Sequence, residues 1–315
     1  MINRHKITWV KYVTPILLLC AVVLLVAFLV RRPSAKSWND QMLNYFGLTG
    51  AEADGLESLS QNIVMADQNE AFSVHVMQTV GDGRALYLLY EITVPEAWSE
   101  MLSGAEGGSY SLSFDVACFP TSKLEERYPD LRQALRSPFF QQRSVSAEFL
   151  GYHPDRRCAT YISHFLFDDF SWTGEELQFV LGNFSIEETE AFLPVLESEA
   201  LLSVTWVAQN EAEQRRAETV DGSCTVSPLG FELRLTSDAP FPPTQELRAS
   251  IEVVYEDGTT AKAGQIRESY AATCGKYSAS LFVAPPDGSL YEPGSIIQIK
   301  VNGVTFSFPE APIHA

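Results

Sequence analysis

The sequence predicts a mainly β protein: an N-terminal transmembrane helix followed by two antiparallel β-sandwich domains, the first with a helical insertion. Three observations predict it. An uncharged apolar run fills residues 13–30. Behind it, short segments with apolar residues at every second position recur to the end of the chain, as expected of strands with one buried face. Turn sequences rich in Gly, Pro, Asn and Asp separate them. Of 315 residues, 46% are apolar, which is enough for real cores and for about two domains.

The run VTPILLLCAVVLLVAFLV, residues 13–30, carries no charge. At about 1.5 Å per residue a helix of this length spans roughly 27 Å, close to the hydrocarbon thickness of a bilayer. Trp9 and Tyr12 are placed for one interface. Arg4, Lys6 and Lys11 precede the run and Arg31, Arg32 and Lys36 follow it, so the positive-inside bias is nearly balanced. Residues 1–12 are read as a short cytoplasmic tail of signal-anchor type, which puts the bulk of the chain outside the cytosol. No A-x-A-type cleavage site follows, so the anchor is expected to stay attached. The tetrad Leu17–Cys20 is not a lipidation site, because Leu19 is too large.

Residues 31–62 read as a juxtamembrane helix and linker. Within them SWNDQMLNYFG, 37–47, has an N-cap in Ser37, Trp38 and Met42 four apart, and a stop at Gly47. The first sandwich is expected over 63–210. FSVHVMQTVGDGRALYLLYEITVPE, 72–96, places Phe72, Val74, Val76 and Val80, then Leu86, Leu88, Tyr90, Ile92 and Val94, on one face. GDGR supplies the residues a hairpin turn favours, and Pro95 ends the second strand. Further alternation marks 110–118, 145–149, 161–167, 177–181 and 200–209. Seven short strands with turns between them fit an immunoglobulin-like sandwich. The insertion, 121–143, has helical spacing at Leu124, Tyr128, Leu131 and Leu135.

A charged linker, 211–222, leads to the second, smaller sandwich over 223–310. Its strands are expected at 231–235, 247–255, 281–283, 297–301 and 304–308. Asn302-Gly303 between two alternating runs is a strong hairpin signal.

The net charge of the whole chain is −18. Residues 1–36 hold six basic side chains and no acid, so the remainder is more acidic still. Such a body repels nucleic acid phosphates. No G-x-S-x-G, S-x-x-K, H-E-x-x-H or phosphate-binding loop occurs. His153, Asp155, Cys158, His164, Asp168 and Asp169 cluster in sequence, but their spacing matches no closed zinc site; a turn followed by a strand explains them. No catalytic residue, metal or cofactor is expected. Cys118, Cys158, Cys224 and Cys274 admit two readings. They form bridges Cys118–Cys158 and Cys224–Cys274, or they are buried thiols acting as small hydrophobes. The insertion offers a local excess of base on an acidic body. Arg127, Arg132 and Arg136, with the loop aromatics Phe139 and Phe140, form a candidate docking patch for an acidic partner.

Three stretches carry a likeness: SVHVMQTVGDGRALYLLYEITVPE at 73–96, CTVSPLGFELRL at 224–235 and GSIIQIKVNGVTFSF at 294–308. In them the chain resembles a family of uncharacterised extracytoplasmic β domains. That family is found behind a single transmembrane helix in Gram-positive anti-sigma-factor-like membrane proteins. The resemblance implies a single-pass envelope protein with a membrane or envelope protein as partner and a place beside a sigma/anti-sigma system. The 12 residues before the anchor are too few to fold into a cytoplasmic sigma-binding segment. A structural or adhesive role, with the sandwiches as spacers, is the alternative.

Overall fold

The even face of the 72–96 hairpin is removed from solvent as the alternation requires: Val74, Val76, Leu86, Leu88, Tyr90 and Ile92 are all buried. What covers them is a second sheet. In the computed structural model, described over residues 40–48, 59–103, 109–122, 130–136, 142–167, 172–209, 212, 214–264, 266–273, 276–285 and 290–309, the strands form four antiparallel sheets. The residues from Asn39 onward form one compact unit. The expected membrane run, 13–30, lies outside the described residues. Among those that are described, no helix is long and apolar enough to cross a membrane.

The first sheet has the order β1-β2-β3-β6-β5. Its strands are β1 (Ser60–Gln68), β2 (Ser73–Gly81), β3 (Ala85–Thr93), β5 (Gln142–His153) and β6 (Cys158–Phe167). The second, β4-β7-β8, consists of β4 (Tyr110–Pro120), β7 (Glu176–Glu188) and β8 (Pro194–Val207). Their facing side chains make one core, in which Tyr90, Phe165, Phe179, Phe184 and Leu181 are fully buried. Aromatic contacts cross it, with Phe72 stacked on Phe184 at 4.5 Å and Tyr90 edge-on to Phe179 at 4.9 Å. Side chains tie β1 to β8 along the open side: Ser203 N donates to Asp67 Oδ2 at 2.7 Å, and Gln61 Nε2 to the Val207 carbonyl at 3.1 Å.

The second sandwich pairs the sheet β14-β15-β11-β10-β9 with β13-β12-β16-β17. The former contains β9 (Arg215–Thr219), β10 (Gly222–Ser227), β11 (Gly230–Ser237), β14 (Ile266–Thr273) and β15 (Lys276–Val283). The latter contains β12 (Glu252–Tyr255), β13 (Thr260–Lys262), β16 (Ile296–Val301) and β17 (Val304–Ser307). Phe231, Leu233, Leu281, Val253, Ile299 and Phe306 fill the core between them. Asn302 and Gly303 take φ of 45° and 82°, the left-handed pair that a two-residue hairpin needs.

Four differences from the sequence expectation have physical causes. The first helix, α1 (Asp40–Phe46), is no spacer. Met42 and Leu43 are buried, and Tyr45 and Phe46 lie 5.9 and 4.9 Å from the ring of Tyr87. Gly47, at φ 67°, ends it as expected. Second, β1 begins at Ser60, inside the expected linker, because SQNIVMADQ has mixed polarity and no clear alternation. The stretch 211–222 likewise holds β9, whose Ala217 is buried opposite Cys224. Third, 247–255 is not one strand. Helix α4 (Thr244–Ser250) follows Pro243, and β12 takes only Glu252–Tyr255. Leu247 and Ile251, both fully buried, are four residues apart and so satisfy a helical stripe as well as an alternating one. Fourth, the central strand β3 is buried on both faces. Tyr87 and Leu89, on the odd face of β3, are as inaccessible as their even neighbours.

Two short helices complete the first sandwich. In α2 (Glu96–Leu102), Trp98 packs edge-on to Phe72 at 4.9 Å. The insertion contributes α3 (Leu131–Arg136). Its Ala134, with Leu131 and Leu135, covers Ala117, Phe119 and Val180 on the outer face of the β4-β7-β8 sheet.

Candidate functional site

The expected docking patch is only partly within the described residues. Arg127, Phe139 and Phe140 lie outside them. Arg132 is on the exposed side of α3, where its Nη1 pairs with Glu199 Oε2 at 3.3 Å, with the two side chains 42% and 85% exposed. Arg136 closes the helix. The basic excess at Arg132 is thus partly met by an acid of the same chain, in water, where such a pair contributes little.

Three of the four cysteines lie within the described residues. Cys118, Cys158 and Cys224 are free and buried; Cys274 lies outside the described residues. Cys118 points into the first core and Cys224 into the second. Burial holds both thiols well above their usual range. Cys158 is pushed up to about 12, first by burial and then by the neighbouring carboxylate of Glu91. A nucleophilic cysteine needs the opposite environment.

His153 and Cys158 are cross-strand partners on β5 and β6. His164 lies elsewhere, stacked on Tyr87 at 4.1 Å. Among the described residues no group of His, Cys, Asp or Glu is arranged to hold a metal ion.

Two features do stand out. One is the tip of the β7–β8 hairpin. The loop closes through Phe192 N, which donates to the Glu188 carbonyl at 2.8 Å, and Glu188 N, which donates to the Leu193 carbonyl at 3.1 Å. Thr189 N donates to the Ser109 carbonyl at 2.8 Å, fixing the loop to the start of β4. This geometry places Phe192 at φ 52°, in the left-handed region that costs a bulky residue about 1–2 kcal/mol. Its side chain stands mostly in water, being 77% exposed. Leu193 and Val195 beside it are also exposed. Glu187, Glu188, Glu190 and Glu197 flank these apolar groups in the sequence, and no Lys or Arg occurs between Cys158 and Gln214.

The other is the junction of the two sandwiches, where the GDGR turn ends. Asp82 Oδ1 accepts from Arg84 N at 3.0 Å and Ala85 N at 2.8 Å, holding its own turn. Across the junction its Oδ2 accepts from Leu229 N at 3.2 Å. Gln214 Nε2 donates to the Asp82 carbonyl at 2.7 Å. Arg84 pairs with Glu232, which also holds Arg234 at 2.9 Å. Below them Phe282 of β15 meets the ring of His164 at 5.3 Å. Nothing in the sequence distinguishes Asp82 from an ordinary turn residue, since its partners across the junction, Leu229 and Gln214, lie 147 and 132 positions away.

No protein-family model matches the chain, and no curated protein matches it. Among solved structures, the crystal structure of the conserved domain protein from Bacillus anthracis aligns over 79% of this chain and 78% of that one. The TM-score is 0.45 and the identity 10%.

Proposed function

We propose that the chain is a single-pass envelope protein that acts by contact. Residues 13–30 anchor it, and two immunoglobulin-like sandwiches stand outside the cytosol. The β7–β8 tip engages a protein partner. The observation that supports contact is Phe192, held exposed at a left-handed position. The acidic rim implies a partner with an apolar socket edged by Lys or Arg, and it disfavours an anionic lipid surface. The resemblance to extracytoplasmic domains of anti-sigma-like proteins supports a signalling setting, with this chain as an accessory of such a system. The buried junction favours a second reading, a stiff spacer, because two docked sandwiches hold their shape better than two on a free linker.

The test uses intact cells expressing the full chain with a proximity-labelling enzyme at its C-terminus. F192S together with L193S removes the apolar tip at exposed positions, and R132E serves as a comparison on the expected basic patch. Loss of one labelled envelope protein in the tip variant alone supports the proposal. An unchanged labelling pattern refutes the tip as the contact. Protease added to the same cells must cut beyond Lys36; complete protection there refutes the topology.

A further inference from the structure

The edge strand of a sheet presents unpaired amides and carbonyls, and folded chains cap or cover them. On one side of the first sandwich, side chains of β1 cap the edge of β8: Ser203 N donates to Asp67 Oδ2, and the Val207 carbonyl accepts from Gln61 Nε2. On the other side the edges belong to β4 and β5. The Leu112 carbonyl of β4 accepts from the Tyr161 hydroxyl at 3.3 Å. β5 has no such cap. Among the described residues, Ala147, Glu148 and Phe149 make no hydrogen bond beyond their ladder with β6. All three are exposed.

The register of β5 on β6 runs unbroken from Val145 to Phe149, between two bulges. That is about the length of an ordinary strand. The inner face of β5 overhangs, because a sheet of five strands lies over one of three. Phe149 shows this. It stands directly opposite the buried Tyr161, 5.5 Å from its ring, on the core-facing side of the sheet, and is still 55% exposed. Tyr161 in turn meets Phe114 of β4 edge-on at 4.9 Å. The outer face of the same stretch carries Glu148, an exposed carboxylate without an ion pair among the described residues.

We propose that this edge takes an extended segment of a partner protein as an added strand, with Lys or Arg opposite Glu148 and an apolar residue opposite Phe149. Main-chain hydrogen bonds hold the segment. The two side chains select it, one by charge and the other by covering a ring that now stands half in water. Charge decides against a second copy of the chain. Each copy carries a net −18. An antiparallel pairing of two β5 strands centred on Ala147 also makes the two Glu148 side chains diagonal neighbours on one face. The surface is separate from the β7–β8 tip and does not depend on the contact proposed there.

The probe is a labelled synthetic peptide of about seven residues, Lys and Val alternating. Its binding to the full chain in mild detergent is read by fluorescence anisotropy. E148K weakens binding about fivefold and strengthens binding of the Glu–Val counterpart. E190K makes the same change of total charge at the tip, and it leaves the affinity unchanged, as does F192S with L193S. Two further peptides are N-methylated on alternate amides, one set for each edge. One of them loses about tenfold or more and the other binds like the parent, because only one edge of the peptide meets β5. Hydrogen exchange slows at Ala147–Phe149 in the complex. Absence of binding, equal affinity in wild type and E148K, or two methylated peptides that bind alike overturns the proposal. So does a chain that dimerises unaided in sedimentation and loses the dimer in F149S, which seats a second copy on the edge.

Discussion

Gly81 precedes Asp82 at the base of the docking turn, and its lack of a side chain is a packing requirement. A Cβ built there lies 2.3 Å from Trp172 Cη2, 2.8 Å from Cζ2 and 3.1 Å from the Ala85 carbonyl oxygen. Carbon atoms in contact prefer about 3.5–4.0 Å, so G81A demands a displacement of roughly 1.2 Å or more. The indole cannot swing into water, because Trp172 is fully buried and packs at 6.0 Å on Phe167. Overpacking of this kind costs about 1–3 kcal/mol, and a shift of the turn also draws Asp82 away from Leu229. We expect G81A to lose about 2–3 kcal/mol in urea unfolding and about 5 °C or more in Tm. W172F shortens the ring at the atoms that clash. The double variant G81A/W172F is therefore more stable than the sum of the two single changes by at least about 1 kcal/mol. Additivity to within about 0.5 kcal/mol, or a neutral G81A, refutes the close approach.

Three further outcomes follow from the same geometry. F192G removes the left-handed penalty and raises stability by about 1 kcal/mol in thermal unfolding, while it deletes the contact group; a destabilised F192G contradicts the reading of Phe192 as strained and unsupported. Native protein at about pH 8 reacts slowly with iodoacetamide at Cys118, Cys158 and Cys224, and all three react promptly after unfolding. Mass mapping that finds a Cys118–Cys158 bridge would overturn the buried-thiol reading. R132E leaves stability within about 0.5 kcal/mol of wild type, because the Arg132–Glu199 pair is largely in water; a larger loss in urea unfolding would mean that α3 depends on that pair.

Much of the fold was legible because alternation reports burial directly. The hairpins of β2–β3 and β16–β17 are where the sequence places them, since each has an apolar face and a turn with glycine at the right point. Where the signal fails, it fails for a reason in the pattern itself. Leu247 and Ile251 fit both a helical and an alternating template, and only Pro243 in front of them favours the helix. Ser60–Gln68 shows too little contrast to be separated from a linker. Arg215, in the expected linker 211–222, looks like a solvated charge, yet its guanidinium donates to the carbonyls of Pro293, Gly294 and Ile296 at 2.8–2.9 Å and lies over the ring of Phe308. A charged residue that caps carbonyls from distant loops leaves no local trace.

The odd face of β3 shows why the junction was harder to read than the sandwiches. Tyr87 and Leu89 stand out in ALYLLYE as apolar residues on both parities, a continuous run of the kind that marks a strand buried on two faces. That signal was present, and it says that something covers the first sheet from outside. It does not say what. The cover turns out to be α1 on one side of Tyr87 and His164 with Phe282 on the other. Both contacts depend on how separate parts of the chain dock, which is set by shape at long range rather than by any periodicity. The same holds for Asp82. Within GDGR it is a sound turn residue whether it is buried or not, because Arg84 N and Ala85 N satisfy Oδ1 locally. Its second oxygen is committed only when Leu229 arrives. Its burial is therefore set by how the two sandwiches pack, and by nothing within the turn.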